Sequence, residues 1–506
     1  MKLILSKIYV LLSLILCLSN IGFAQTISKI ELKSANKMVW DKGVNNGAKR
    51  LIGDVIFQQD DVTMTCDSAY FYSKENMFDA FSNVQLNNKK NNNVQINSDF
   101  LQYDGNNKIA KFRNNIVLVD SNIILKTDSL NYDNLNNYGY YFDGGKIIDS
   151  TSTLESYLGY YHVNDKMFFF KDSVIVNHQD YTMYTDTLKY NTGTEIVYFC
   201  GPTKIVNDTS YMSASNGWYN TVDDVSVVNK DVFYKNKSQK LIADSLYIDR
   251  KNSYLKAYYN IEVFDSTQNV ILKGDYGDYY ENQKKGIITG RALFIQITEG
   301  DSLFLHADTL RSEYDSAGKY QILRAYNKVQ AYKSDLQLRS DSIVFSFEDS
   351  IVQILKNPIL WTDNNQITGD KINFHIADKK ADYFELINSS FIIAKEDSSH
   401  FSQIKGVNMK GFFNDRGKLN FVTVNNKSES IYFPKEKGEI IGVNKSKCKK
   451  MNIYLENGQV QKVVFFNKPK QTLYPLDKIK EKELKFKKFK WYQNLRPLSK
   501  ADIFNW

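Results

Sequence analysis

The sequence predicts an all-β chain of stacked repeats, on three observations. Strand-favouring residues are abundant: 34 Tyr and 31 Phe stand beside many Val, Ile and Thr, with only 6 Pro and 25 Gly. Asn and Asp are plentiful, and both tolerate turn conformations. A short pattern also recurs about every 30 residues along the body. A period of that size marks supersecondary units that bury their apolar faces only by stacking.

The pattern is a polar residue, Asp, Ser or Thr, Leu, any residue, Tyr, then Asp or Asn. It reads Thr127-Asp128-Ser129-Leu130-Asn131-Tyr132-Asp133 and returns as Thr185-Asp186-Thr187-Leu188-Lys189-Tyr190-Asn191. Looser copies begin at Cys66, Ser98 and Ala243, with others at Asp275, Asp308, Asp341 and Asp370. Asp-to-Asp steps are 32 from Asp67 to Asp99 and 29 from there to Asp128; from Asp244 they run 31, 33, 33 and 29. Within each copy Leu130 and Tyr132 share one strand face, and Ser129, Asn131 and Asp133 the other. Asp128 is expected to open the strand at its rim and accept turn N–H groups. A second pattern places Ala and then Asn before an apolar run, as in Ala80 to Leu86 and Ala257 to Asp265. Polar turn clusters separate the two. Helical periodicity is expected only around Asp477 to Lys490. A β-helix, a β-roll and an open β-jellyroll all satisfy these patterns.

Residues 1–24 read as a secretory signal: Lys2 and Lys7, an apolar run from Ile8 to Leu18, and a small-x-small site at Gly22-Phe23-Ala24. That run is short for a membrane span. Cys66, Cys200 and Cys448 remain, too far apart for metal spacing. Net charge is +8, but it is uneven: residues 435–506 carry 18 Lys/Arg and 7 Asp/Glu, so the body from 25 to 434 is near −5. A basic tail suits an anionic partner such as a phosphorylated glycolipid or a membrane surface. Nucleic acid is not expected as a partner of an exported chain.

No catalytic constellation emerges. The five His are scattered, with no HExxH and no Gly-x-Ser-x-Gly elbow. The repeated Asp-Ser pairs argue for structure, since an active site is normally single. Calcium-binding β-rolls need a Gly-rich nonapeptide, which is missing, so the Asp residues read as turn or edge caps. No enzyme activity, no cofactor and no metal site are expected.

The repeated Asp-Ser-Leu-x-Tyr-Asp strands, alternating with Ala-x-x-x-x-Asn-Val strands behind a signal peptide, resemble the OstA/LptA-like lipopolysaccharide-transport family and its OstA-like N-terminal domain. Cys66-Asp67-Ser68-Ala69-Tyr70, Tyr141-Phe142-Asp143-Gly144-Gly145, Gly201-Pro202-Thr203 and the ending Leu495-Arg496-Pro497 with Asp502-Ile503-Phe504 are similar to the Bacteroidetes branch. The resemblance is good over about 27–200 and persists to about 400. It implies an elongated, open β-jellyroll array with a hydrophobic groove for acyl chains, periplasmic and associated with the outer membrane. It implies lipopolysaccharide as ligand, and other Lpt-type β-jellyroll proteins as partners through edge-strand pairing. The expected organisation is a signal at 1–24, an OstA-like jellyroll at 25–200, a second repeat region at 201–400, and a C-terminal β region with basic tail at 401–506.

Leu101, Tyr103, Leu130, Tyr132, Leu188, Tyr190, Leu246 and Ile248 are the groove candidates; the alternative is that they fill a closed core. Lys485, Lys487, Lys488, Lys490 and Trp491 are candidates for docking on the outer-membrane surface, against the alternative of a solvated face. The alternative function is a structural or adhesive exported β-solenoid without lipid binding.

Overall fold

The structure is a computed structural model. It describes residues 28–506 apart from 41–46, 89–93, 121–122, 134, 163, 315–320, 378–379, 415, 417 and 457–458. The signal at 1–24 lies outside the described residues. Antiparallel strands joined by polar hairpins run from Glu31 to Tyr474, and no α-helix occurs among the described residues. The helix expected around Asp477 to Lys490 is instead extended chain with single 3-10 turns at Leu476–Lys478 and Glu481–Glu483. The chain forms two compact units, Met1–Phe199 and Cys200–Trp506.

The long strands share one device. In Met77–Asn88 the middle is interrupted by Ser82 and Asn83, both left-handed, with φ of 62° and 50°. Such pairs recur at Gly53–Asp54, Asn114–Asn115, Asp172–Ser173, Lys230–Asp231, Tyr259–Asn260 and Asn327–Lys328. Buried residues flank each pair four positions apart, as in Ala80/Val84, Phe112/Ile116, Val228/Val232 and Ala257/Ile261. The pair opposes a single residue on the next strand, a two-against-one bulge that bends the sheet. That single residue is the recurrent Asp: Ser82–Asn83 face Asp99, Asn114–Asn115 face Asp128, and Lys230–Asp231 face Asp244.

The Asp therefore sits at a mid-strand corner, not at the strand's opening as its position in the motif suggested. The two extra residues lie on the neighbouring strand, so alternation within one copy cannot reveal them. The carboxylates tie adjacent corners together. Asn83 donates to Asp67 at 2.8 Å, Asn115 to Asp99 at 2.6 Å and Asn260 to Asp244 at 2.8 Å.

The corners fold each strand back on itself. Phe57 pairs with Met64, seven residues before Phe71. Along a straight strand seven residues span about 23 Å, yet the Phe57 and Phe71 rings are 5.3 Å apart. The two halves of each strand thus form two facing layers with the core between them, a β-jellyroll. In the second unit one core cluster draws Ala331, Leu338 and Ile367 from one layer and Phe374, Phe384 and Ile453 from the other.

Asn83→Val is expected to destabilise by about 1–2 kcal/mol, because a β-branched side chain strains the left-handed backbone. It also deletes the bond to Asp67. Asn83→Gly should cost less than Asn83→Val in the same urea-unfolding measurement, since Gly adopts this region freely.

Candidate functional site

The inner faces of the two layers form two cross-strand rows. In the first unit one row runs Phe71, Phe78, Tyr103, Ala110, Tyr132, Gly139, Tyr161, Phe168, Tyr190, each paired with the next. The facing row is almost wholly aliphatic: Phe57, Met64, Leu86, Ile96, Leu118, Leu125, Ile147, Leu154, Val176, Met183. One wall is aromatic and the other is hydrocarbon, so the space between them suits apolar matter.

The aromatic row changes character along its length. Phe71, Phe78, Tyr103 and Ala110 are buried, whereas Tyr132, Tyr161, Phe168 and Tyr190 are only half-buried. In the second unit the corresponding row passes Tyr219, Ile248, Leu255, Tyr279, Leu323 and Phe345, all incompletely covered, and Tyr279 is 43% exposed. It closes again at Phe374, Phe384, Val422 and Ile453, which are buried.

The start of the first unit is closed by polar bonds. Lys108, in one set of hairpins, reaches Asp60 in the opposite set at 2.7 Å, joining the free ends of the layers. Gln59 accepts the Tyr103 hydroxyl at 2.6 Å and donates to Gly105 O and Ser28 O. The Asn76 side chain accepts the Ile30 N–H at 2.8 Å. Burial, with the charge of Asp60 nearby, pushes the Tyr103 phenol well above its ordinary range. Burial likewise raises Tyr141 to about 12. A phenol whose pKa rises on folding supports the fold fully below the unfolded value near 10 and loses that support above it. Unit 1 is therefore expected to lose stability between pH 10 and 12 as tyrosinate absorbance appears.

All eight groove candidates fall on inner faces. Leu101, Tyr103, Leu130, Leu188 and Leu246 are packed out of contact with solvent, while Tyr132, Tyr190 and Ile248 are partly exposed where the row opens. Sequence alternation gave their face but not their depth. Depth depends on how closely the hairpin ends of the two layers approach.

The tail candidates lie on the other side of the sheet, where sequence reasoning missed a second layer. On the outer face of the second unit one row reads Gln337, Trp361, Gln366, Ile393, Gln403, Ile431, each paired with the next and each buried. A strap from Leu476 to Trp506 covers it. Gln403 donates to Leu484 O at 2.8 Å and accepts Phe486 N–H at 2.9 Å. Gln366 donates to Lys490 O at 2.8 Å and accepts Tyr492 N–H at 2.7 Å. These reciprocal pairs imitate strand pairing with side-chain amides. Gln337 accepts Arg496 Nε at 2.7 Å, and Phe504 packs on His306 at 4.6 Å. Trp491 lies against Phe401 at 5.3 Å, half-buried, while Lys485, Lys487, Lys488 and Lys490 point to solvent. The missed signal is the set of glutamines, which in sequence look like any surface polar residue.

Among the described residues no group of His, Cys, Asp and Glu is placed to hold a metal ion. Burial pushes the Cys66 thiol up to about 12. Since the thiolate is the nucleophile, a maleimide or disulfide reagent at pH 8 is expected to spare Cys66 in the folded protein and label it only after unfolding.

These features define an antiparallel β-jellyroll with an apolar interior between two layers. Residues 27–186 and 174–224 match the family described as OstA-like protein, and residues 272–380 match the LptA/(LptD N-terminal domain) LPS transport protein family. The chain belongs to the OstA/LptA-like lipopolysaccharide-transport family. No curated protein matches it. Solved structures that match include the crystal structure of LptH, the LptA homologous periplasmic component of the lipopolysaccharide transport device from Pseudomonas aeruginosa. That match has 12% identity, covers 28% of this chain and 99% of that one, and has a TM-score of 0.22.

Proposed function

We propose that this chain shelters the acyl chains of lipopolysaccharide between its two layers and hands them along a periplasmic bridge near the outer membrane, with no catalysis of its own. The observation that carries the reading is the inner aromatic row, which loses its cover from Tyr132 to Tyr190 while staying apolar. Acyl chains gain free energy there at about 0.8 kcal/mol per buried CH₂, and an apolar slot imposes no polar demand on them. The family membership supports the same ligand class.

Bridging rests on the sheet edges. Among the described residues Lys37–Trp40 pairs on one side only, with Lys49–Gln59, and it exposes Met38, Val39 and Trp40. Lys470–Tyr474 pairs with Val443–Glu456 and exposes Leu473. Proteins usually blunt such edges; apolar ones suit strand addition by a partner jellyroll. The solvent-facing lysines at 485, 487, 488 and 490 add a basic strip suited to an anionic membrane surface.

The test is in-cell photocrosslinking with a light-activated residue at Tyr132, Tyr190 and Ile248, and at the exposed Gln85 on the outer face as control. Lipopolysaccharide adducts are expected at the three inner positions and not at Gln85. Adducts at none of the three would sink the reading and favour a closed structural solenoid.

A further inference from the structure

The outer face of the first unit carries a second feature that interior packing does not explain. Strands whose inner residues include Tyr132, Gly139, Tyr161 and Phe168 place aromatic rings on their outer side as well. Tyr138, Tyr140 and Tyr160 form a triangle of rings with centroids 5.5, 6.2 and 6.1 Å apart and planes within 32° of one another. His162 lies 4.7 Å from Tyr138 and 5.6 Å from Phe169, and Phe142 extends the patch beside Tyr140 at 6.1 Å. All six are half-buried, so each ring keeps surface in water. Bare aromatic surface of this kind is normally buried in a core or used in recognition.

Cations rim the rings. One cross-strand row reads Lys111, Asn131, Tyr140, Tyr160, Phe169, Lys189. Arg113 lies 5.3 Å from the Phe142 ring centre and Lys189 lies 5.5 Å from that of Phe169. Lys171 follows Phe169 two positions along the same face. Among the described residues Lys111, Arg113, Lys171 and Lys189 form no ion pair. The Asp133 carboxylate near Tyr138 is occupied by the N–H groups of Leu135 and Asn136. Four uncompensated cations around a flat aromatic surface call for an anion that also offers apolar faces.

We propose that this face binds the phosphorylated saccharide portion of the amphiphile whose acyl chains enter the interior, and the proposal rests on that reading of the interior. Sugar rings present C–H faces to aromatic rings, their hydroxyls meet the Tyr hydroxyls and His162 nitrogens, and the phosphates take the lysines and Arg113. The placement is consistent with one molecule reaching both sites. Tyr161 faces inward between Tyr160 and His162, which face outward, and His162 is the last residue of its strand. A head group leaving the interior at that rim has one strand end to cross.

Calorimetry on the full chain tests this with deacylated, phosphate-bearing lipopolysaccharide saccharide as probe. The same saccharide after dephosphorylation and a single-stranded oligonucleotide are the comparisons, and a spin-labelled fatty acid reads the interior separately. The phosphorylated saccharide is expected to bind, and to bind about tenfold more weakly, near 1.4 kcal/mol, after dephosphorylation, in Tyr140→Ala/Tyr160→Ala and in Lys171→Gln/Lys189→Gln. Both variants should keep fatty-acid binding. The lysine pair carries the test should the tyrosine pair unfold. No saccharide binding, unchanged affinity in the lysine variant, or equally tight ring-dependent oligonucleotide binding would each overturn the proposal. Absence of fatty-acid binding by the intact chain, with saccharide binding present, would overturn the interior reading instead.

Discussion

Removing residues 475–506 is expected to give a protein that melts far below the intact chain and binds hydrophobic dye strongly. The strap covers Trp361, Ile393, Phe401, Ile431 and Phe433, and Trp361 is 0% exposed. Returning one such side chain to water costs about 1.5–3 kcal/mol. Three of them together rival the 5–15 kcal/mol that holds a typical domain folded. A single substitution probes the amide ladder without truncation. Gln366→Leu leaves Lys490 O and Tyr492 N–H without their partner, at about 1–3 kcal/mol for each buried polar group left unpaired. Trp361 gives an internal contrast, because its indole N–H has no hydrogen-bond partner among the described residues. Trp361→Phe should therefore be tolerated, while Trp361→Ala should cost about 3–5 kcal/mol. Scanning calorimetry on the set decides: equal melting temperatures for the truncated and intact chains would mean that the strap contributes no stability.

Gly159→Val is expected to unfold the first unit at temperatures the native chain survives. A Cβ at Gly159 would stand 2.2 Å from two ring carbons of Tyr141, and one at Gly145 would stand 2.6 Å from the same ring. The ring is wedged over both glycines and cannot swing away, since its hydroxyl is bonded to Ser156 Oγ at 2.6 Å in a buried setting. Overpacking costs about 1–3 kcal/mol where neighbours can shift; here the anchored ring argues for the upper end or beyond. Gly144→Ala is the contrast. Nothing lies within 4 Å of its Cβ, so the cost is only the backbone strain of φ 84°. In a double-mutant cycle, Tyr141→Ala should recover most of what Gly159→Val loses. Equal urea midpoints for Gly159→Val and Gly144→Ala would refute the wedge.

The all-β class and the stacked repeat were legible because alternation survives in every copy: Leu130 and Tyr132 do share the inner face, and Asp128 does not join the core. The corner was half legible. The Ala…Asn-Val pattern is the corner, with Ala80 and Val84 as its buried flanks and Ser82 and Asn83 between them. Its meaning needed the partner strand, because a two-against-one bulge is a property of a pair. Face was readable for Leu101 and Tyr190 alike, but one is sealed and the other is half-open. That difference is set by bonds such as Lys108 to Asp60, made across 48 residues. The strap was illegible for the same reason. Gln330 meets Asn505 across 175 residues, and nothing local distinguishes a glutamine awaiting such a partner from one facing water.

The strap also orders events in time. Every strand it covers precedes it in the chain, so during synthesis the row from Gln337 to Ile431 waits bare until residues 476–506 arrive. A sheet of hairpins gathers its local contacts quickly, but this closure has very long sequence separation and is expected to come last. In that interval the uncovered row is a sticky surface needing a chaperone or speed. Once sealed, it reports that residues 476–506 are in place: a nascent or clipped chain lacking them keeps an apolar flank on display.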